Sequence, residues 1–188
     1  FNAFAGEDSE AFRALYAKEW EFRTSEFPYL ARENGDKEKA HLITHVGEKD
    51  QLRRYEYWKQ IQLELAAISC ERLEREECIN YRIFERQIHQ FLADYETRAY
   101  LIPFNSDSGF YTSWIRWGDD TDIITARDYH DYLSRLNALP VVMDEYIALM
   151  REGLRTGMTQ PRVILSGRAE PVRKQLVENP ERSSFYKP

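Results

Sequence analysis

An all-α fold is the class this sequence predicts: an antiparallel multi-helix bundle with one long aromatic-rich loop. Three observations predict it. Apolar residues recur at three- and four-residue steps over long segments, no segment alternates apolar and polar residues at the period of a strand, and only 8 glycines interrupt 188 residues. Composition agrees, because 43% hydrophobic and 31% charged residues describe an ordered chain able to bury a core. With 12 Tyr, 10 Phe and 4 Trp, much of that core must be ring packed on ring.

Asp8 or Ser9 is expected to cap a first helix whose stripe is Phe12, Leu15, Tyr16 and Trp20. Pro28 and Gly35 bracket "PYLARENG", which reads as a turn-like piece. From about Lys49 a second helix carries Leu52, Tyr55, Trp58, Ile61, Leu65 and Ile68 on one face and charged or amide side chains on the other. A third follows with Tyr81, Phe84, Ile88, Phe91, Leu92 and Tyr95, and ends before Pro103. The stretch "IPFNSDSGFYTSWIRWGDDTD" is punctuated like a loop, yet its five large rings predict that it packs on the helices or lines a cleft. Thr125, with Asp128 three residues on, opens a fourth helix with Tyr129, Tyr132, Leu133 and Leu136 inward. Pro140 suits the first turn of a fifth, with Met143, Ile147, Met150 and Leu154 on one side and Gly157 as its stop. Pro161 and Pro171 could each start a further short helix. Without repeats, low-complexity tracts or linkers, residues 1–188 read as a single helical domain.

The net charge of -6 argues against a nucleic-acid partner, since phosphate affinity rests on clustered Lys and Arg. No apolar run approaches the ~20 residues that span a bilayer. The sequence opens at Phe1 without methionine or a signal-peptide core, and stops at "FYKP" without a closing helix. The expectation is a trimmed piece of a longer protein.

Cys70 and Cys78 flank "ERLEREE". In one unbroken helix their separation would be ~12 Å, beyond the ~7 Å that a disulfide spans. The apolar stripes stop at Ile68 and resume at Ile79 or Tyr81, so the pair could instead meet across a helix-to-helix turn. A disulfide and two separate thiols both stay open, and the compartment decides between them.

"HLITH" places His41 and His45 four apart, the spacing of helical zinc peptidases, but Leu42 stands where their glutamate belongs. The segment also lies between Gly35 and Gly47, where a helix is doubtful, so two surface or packing histidines are the better account and no metal site is read in this chain. His89 and His130 read as helix-surface residues. "GDDTD" lacks the order of a calcium loop and suits the acidic approach to a helix N-terminus. "GLRTG" has small-residue spacing but sits among charges. No catalytic constellation is visible.

From Leu73 onward the order "LEREECINYRIF", "GFYTSW", "DYHDYLSRLNALPVVMDEYIALMREGLRTGMTQPRVIL" and "SFYKP" resembles the N-terminal part of a bacterial family known as domain of unknown function 885. The likeness is densest from Asp128 to Leu165. Its most specific parts are "YLSRLNALP", "MREGLRTGMTQPRVIL" and the terminal "FYKP". Many members are described as lipoproteins, and full-length members look like helical zinc metallopeptidases with an H-E-x-x-P-G-H-H motif in their later half. Nothing in residues 1–188 matches that motif, so the resemblance implies no catalytic residue and no cofactor here, and zinc only in the full-length parent. It also implies a place in the cell envelope or periplasm, with the cytoplasm as the alternative, and an exported protein would favour the Cys70–Cys78 bridge.

The reading that joins these observations is a non-catalytic helical scaffold or cleft wall of a zinc-metallopeptidase-like lipoprotein. A non-enzymatic envelope interaction module is its alternative. Residues expected to touch substrate are Ser108, Gly109, Phe110, Tyr111 and Trp114, with Arg162 as a carboxylate partner. The expected partners are the remainder of the same polypeptide, a peptide substrate and a second copy through uncovered helix faces. Membrane contact is expected only through a lipid anchor outside this chain.

Overall fold

Burial sorts the helices into two packed groups. The computed structural model describes residues 2–186, with side chains from Gly6 onward. Its helices are α1 (Asn2–Glu26), α2 (Pro28–Glu33), α3 (Glu48–Ala66), α4 (Arg75–Glu96), α5 (Phe110–Ile115), α6 (Trp117–Asp120), α7 (Ala126–Thr156), α8 (Arg162–Leu165) and α9 (Ala169–Arg173). Among the described residues there is no strand, and the fold is all-α. Among the same residues, no helix is long and apolar enough to cross a membrane.

The first group is α1, α3 and α4. Trp58, Ile61 and Leu65 on α3 meet Tyr81, Phe84, Ile88 and Leu92 on α4, with Phe12 and Leu15 of α1 closing the core. These are three- and four-residue steps, so each helix turns one stripe inward. The short turn between α3 and α4 carries a Cys70–Cys78 disulfide with Cα atoms 5.0 Å apart. It is feasible because Cys70 lies in the turn while Cys78 sits in the first turns of α4.

The second group forms around α7. Val142 and Leu149 pack with Leu101, Trp114 and Val46, and Phe185 folds back onto them from the C-terminal side. The Tyr132 hydroxyl donates to the Phe185 carbonyl at 2.7 Å, which ties that segment down.

Several local expectations are corrected. α1 begins at Asn2, so Asp8 and Ser9 lie within it rather than capping it. Their side chains are engaged across the turn instead, Asp8 with Arg72 and Ser9 with Glu77. "PYLARENG" contains a helix, α2, with Pro28 in its first turn, where a missing N–H costs no bond. The aromatic-rich stretch includes the short helices α5 and α6. The expected fourth and fifth helices are one, α7, with Pro140 inside it. Proline there removes one backbone hydrogen bond, but the helix is held on both sides of it, by buried Tyr132 and Arg135 before and Val142 and Leu149 after. Pro171 likewise falls inside α9 rather than at its start.

Stripe phase is the other correction. Tyr16, Tyr129, Ile147 and Leu154 are exposed, whereas Glu19, Arg135 and Gly153 are buried. Burying Glu19 raises its carboxyl pKa, against the pull of the Arg23 charge. It remains partnered, accepting from the Trp58 indole N–H at 3.2 Å and facing Arg23 at 3.1 Å.

The start of α7 follows the sequence reading. The Asp128 amide donates to the Thr125 hydroxyl oxygen at 3.2 Å, and the Thr125 amide donates to the Asp128 carboxylate at 2.9 Å. These Thr125 bonds, with Lys37 at 3.1 Å, hold the Asp128 carboxyl well below the usual aspartate range. A depressed carboxyl contributes stability above its unfolded pKa of about 4 and loses it as pH falls towards the folded value. Asp128→Asn is therefore expected to lower the urea midpoint by a constant amount above about pH 5, with the gap to wild type narrowing below about pH 4. A gap that stays constant into acid would remove Asp128 from that role.

Candidate functional site

Between the two groups lies a cleft with a volume of about 1270 Å³. One wall is aromatic from the first group and the connections around it. Trp58 stacks on Phe91 at 4.3 Å and lies nearly parallel to Phe27 at 6.4 Å, while Tyr55, Tyr95 and Tyr100 form a ladder at 4.4 and 5.5 Å. The facing wall comes from α5, α6 and α7. Phe110 stacks on Tyr146 at 4.1 Å, and Trp114 stands edge-on to both and 6.2 Å from Trp117. Burial raises the Tyr146 hydroxyl pKa, so that ring meets a ligand as a neutral phenol.

Four arginines line the cleft, and Arg116 among them pairs with Asp120 at 3.6 Å. Arg54 is neutralised. Its Nε donates to Glu26 at 2.9 Å, its Nη2 donates to the His45 carbonyl at 2.6 Å, and its guanidinium lies 4.7 Å over the Phe27 ring. Arg135, on α7, is buried at 5% exposure; it donates to the Ala40 carbonyl at 2.5 Å and to the Thr121 hydroxyl at 3.4 Å. Its charge lies 5.6 Å from both the Trp117 and the Tyr132 ring centres. Arg32, on α2, donates to the Leu42 carbonyl at 3.3 Å.

The residues expected to contact substrate are dispersed. Phe110 and Trp114 line the cleft. Tyr111 is buried and packs edge-on to Phe110 at 5.5 Å without lining it. Ser108 and Gly109 lie instead in a shallow depression with Phe104, Asn105 and Gln160. There the Asn105 side-chain oxygen accepts from the Ser108 amide at 2.9 Å, so this short loop is held by its own bonds. Arg162, at the start of α8, is exposed and borders neither space.

Sequence reasoning missed Arg32, Arg135 and Tyr146. The signal existed for two of them. Tyr132, Arg135, Leu139, Val142, Tyr146, Leu149 and Gly153 form one unbroken three- and four-residue stripe along α7, and an arginine inside such a stripe is a buried charge in want of a reason. Arg32 carries no comparable mark.

A zinc ion does not fit here. "HLITH" is not helical, so the four-residue spacing does not bring the two rings together. His41 is exposed, while the His45 Nδ1 is 2.7 Å from Glu145, whose other oxygen accepts from the Val46 amide at 2.8 Å. Among the described residues no three His, Cys, Asp or Glu side chains converge as ligands would.

Neither a curated protein nor a solved structure matches this chain. A family model does, over residues 28–188, which takes in both walls of the cleft apart from Phe27. The chain belongs to the family described as "Bacterial protein of unknown function (DUF885)".

Proposed function

We propose that this chain is a non-catalytic helical wall of the substrate cleft in a zinc-metallopeptidase-like bacterial lipoprotein. The observation that carries the reading is the open cleft with ring-lined walls on both sides. Its volume suits several side chains of an extended peptide, and flat rings offer apolar contact without demanding one sequence. Phe110 and Trp114 make that contact directly, while Tyr111 supports Phe110 from behind. Hydrolysis belongs to the H-E-x-x-P-G-H-H segment that the family resemblance implies for the full-length parent, and zinc belongs with it.

The remainder of the polypeptide is the first partner in this reading. Leu154, Val163 and Leu176 are 73, 82 and 83% exposed on the C-terminal part of the chain. An apolar surface of this kind suits coverage by further protein, and when uncovered it favours self-association. The Cys70–Cys78 bridge supports an oxidising compartment, in keeping with the cell envelope and a lipid anchor outside this chain. The same exposed residues also favour the alternative, a non-enzymatic envelope module that docks another protein.

Peptide hydrolysis by the parent, by the chelator-stripped parent and by this chain alone separates these readings. Zinc-dependent cleavage by the parent and none by this chain is the expected pattern. Turnover by this chain alone would overturn the wall assignment, and a zinc-loaded but inert parent would favour the docking module.

A further inference from the structure

The Arg32–Arg135 pair is the feature that the wall reading leaves unexplained. Both guanidiniums line the same cleft, and both hold the same short loop, through the carbonyls of Leu42 and Ala40. Among the described residues, neither forms an ion pair with a carboxylate, although Arg13, Arg53, Arg54, Arg72, Arg98 and Arg155 all do. Each guanidinium offers five N–H donors. Arg32 uses one of them and Arg135 two, and the buried Nε of Arg135 has no partner.

Anchoring a loop does not require this. A single neutral donor would satisfy each carbonyl, whereas placing the buried Arg135 and the half-buried Arg32 on one cleft is costly, and the nearby Asp131 and Glu33 charges offset that cost without an ion-pair contact. Burial, together with the nearby Arg135 charge, lowers the Arg32 pKa to about 10, so the pair repels itself when the cleft is empty.

We propose that Arg32 and Arg135 form a receptor for a single carboxylate, carried by a ligand whose apolar or aromatic body lies against the cleft rings. Two guanidiniums present the forked donors that match a carboxylate. The lining also bears seven carboxylates, among them Glu33 near Arg32 and Asp131 near Arg135. That acidic surround disfavours polyanions such as phosphate and leaves a monoanion as the matching class. The carboxylate has two sources, the free end of a peptide or an acidic side chain from the remainder of the polypeptide. The proposal rests on the cleft being a binding surface, not on the parent's chemistry.

Calorimetric titration of this chain with N-acetylphenylalanine and with its carboxamide tests it. The acid is expected to bind about tenfold or more tightly than the amide, the range of a charge-assisted contact, and inorganic phosphate should bind more weakly than the acid. Arg32→Gln, which keeps a neutral donor for the Leu42 carbonyl, should bring the acid down to the affinity of the amide while the chain stays folded, as thermal unfolding would show. Arg135→Gln should do the same, but Arg135 is buried and makes the shorter loop contact, so Arg32→Gln is the decisive variant. Equal affinity of acid and amide in the wild type, or an acid preference that survives Arg32→Gln, would overturn the receptor and leave the cleft reading standing. Failure of both probes to bind would overturn both. Repeating the titration with the full-length parent separates the sources: a retained acid preference assigns the site to a free carboxylate, and a lost one assigns it to an acid of the remaining chain.

Discussion

Replacing Trp58 with alanine is expected to lower the unfolding free energy by about 3–5 kcal/mol, the range for deleting a large buried ring. Trp58 is 6% exposed and joins several partners in the first core. It stacks on Phe91 and Phe27, meets Phe22 edge-on, and donates its indole N–H to Glu19. Its removal leaves a void in one wall of the cleft. It also takes a hydrogen bond from a buried carboxylate, and leaving such a group less satisfied adds to the loss. Against a total stability of roughly 5–15 kcal/mol for a domain, urea unfolding should register the change as a large drop in midpoint. Trp58→Phe should recover most of the packing but not the Glu19 bond, so it should fall between the two. A loss below about 1 kcal/mol for the alanine variant, within the range of ordinary surface substitutions, would mean that the first core is not organised around this ring.

Gly153→Ala should destabilise by about 3 kcal/mol, at the upper end of the range for overpacking. A methyl group at residue 153 would stand 2.6 Å from the Met158 carbonyl oxygen and 3.2 Å from that of Leu101. Neither obstacle is a flexible side chain. The Met158 amide donates back to the Gly153 carbonyl at 2.8 Å, and Gly157, with φ of +74°, makes the left-handed turn that this bond closes. Relief would have to break the end of α7 or push the Ala99–Leu101 turn away from it, and that turn is where the second core meets the end of the first group. Gly157→Ala meets no atom within 4 Å and carries only the strain of its positive φ, so it should cost about 1–2 kcal/mol. Thermal unfolding of the two variants side by side should rank Gly153→Ala as the more damaging, and the reverse order would contradict this packing.

The family, too, was legible from its own run of residues, since the likeness from Asp128 to Leu165 lies within the span that the family model matches. Much of the candidate site was not legible. Phe110 and Trp114 could be singled out as rings in a region too apolar to float, but Ser108 and Gly109 share that neighbourhood in sequence without sharing the cleft, and Arg162, far along the chain, does not border it either. A ring can be recognised from its type, whereas the space it faces depends on what lies across from it. Pro140 shows the same division within one helix. Its local effect is to interrupt a hydrogen bond, and the packing of Tyr132, Arg135, Val142 and Leu149 on either side outweighs that interruption.

By itself the sequence determined the all-α class, the presence of α3 and α4, the Thr125–Asp128 cap, the Gly157 stop and the feasibility of a Cys70–Cys78 bridge. Each of these depends on residues only a few turns apart, where periodicity, capping bonds and chain geometry act directly. Only the tertiary structure decided the phase of the buried stripes, the union of α7 across Pro140, the pairing of His45 with Glu145 and the meeting of Arg32 with Arg135 in one cleft. Those contacts join segments distant in sequence. Their energies come from burial and charge placement created when the two cores pack together, and no local pattern carries that information.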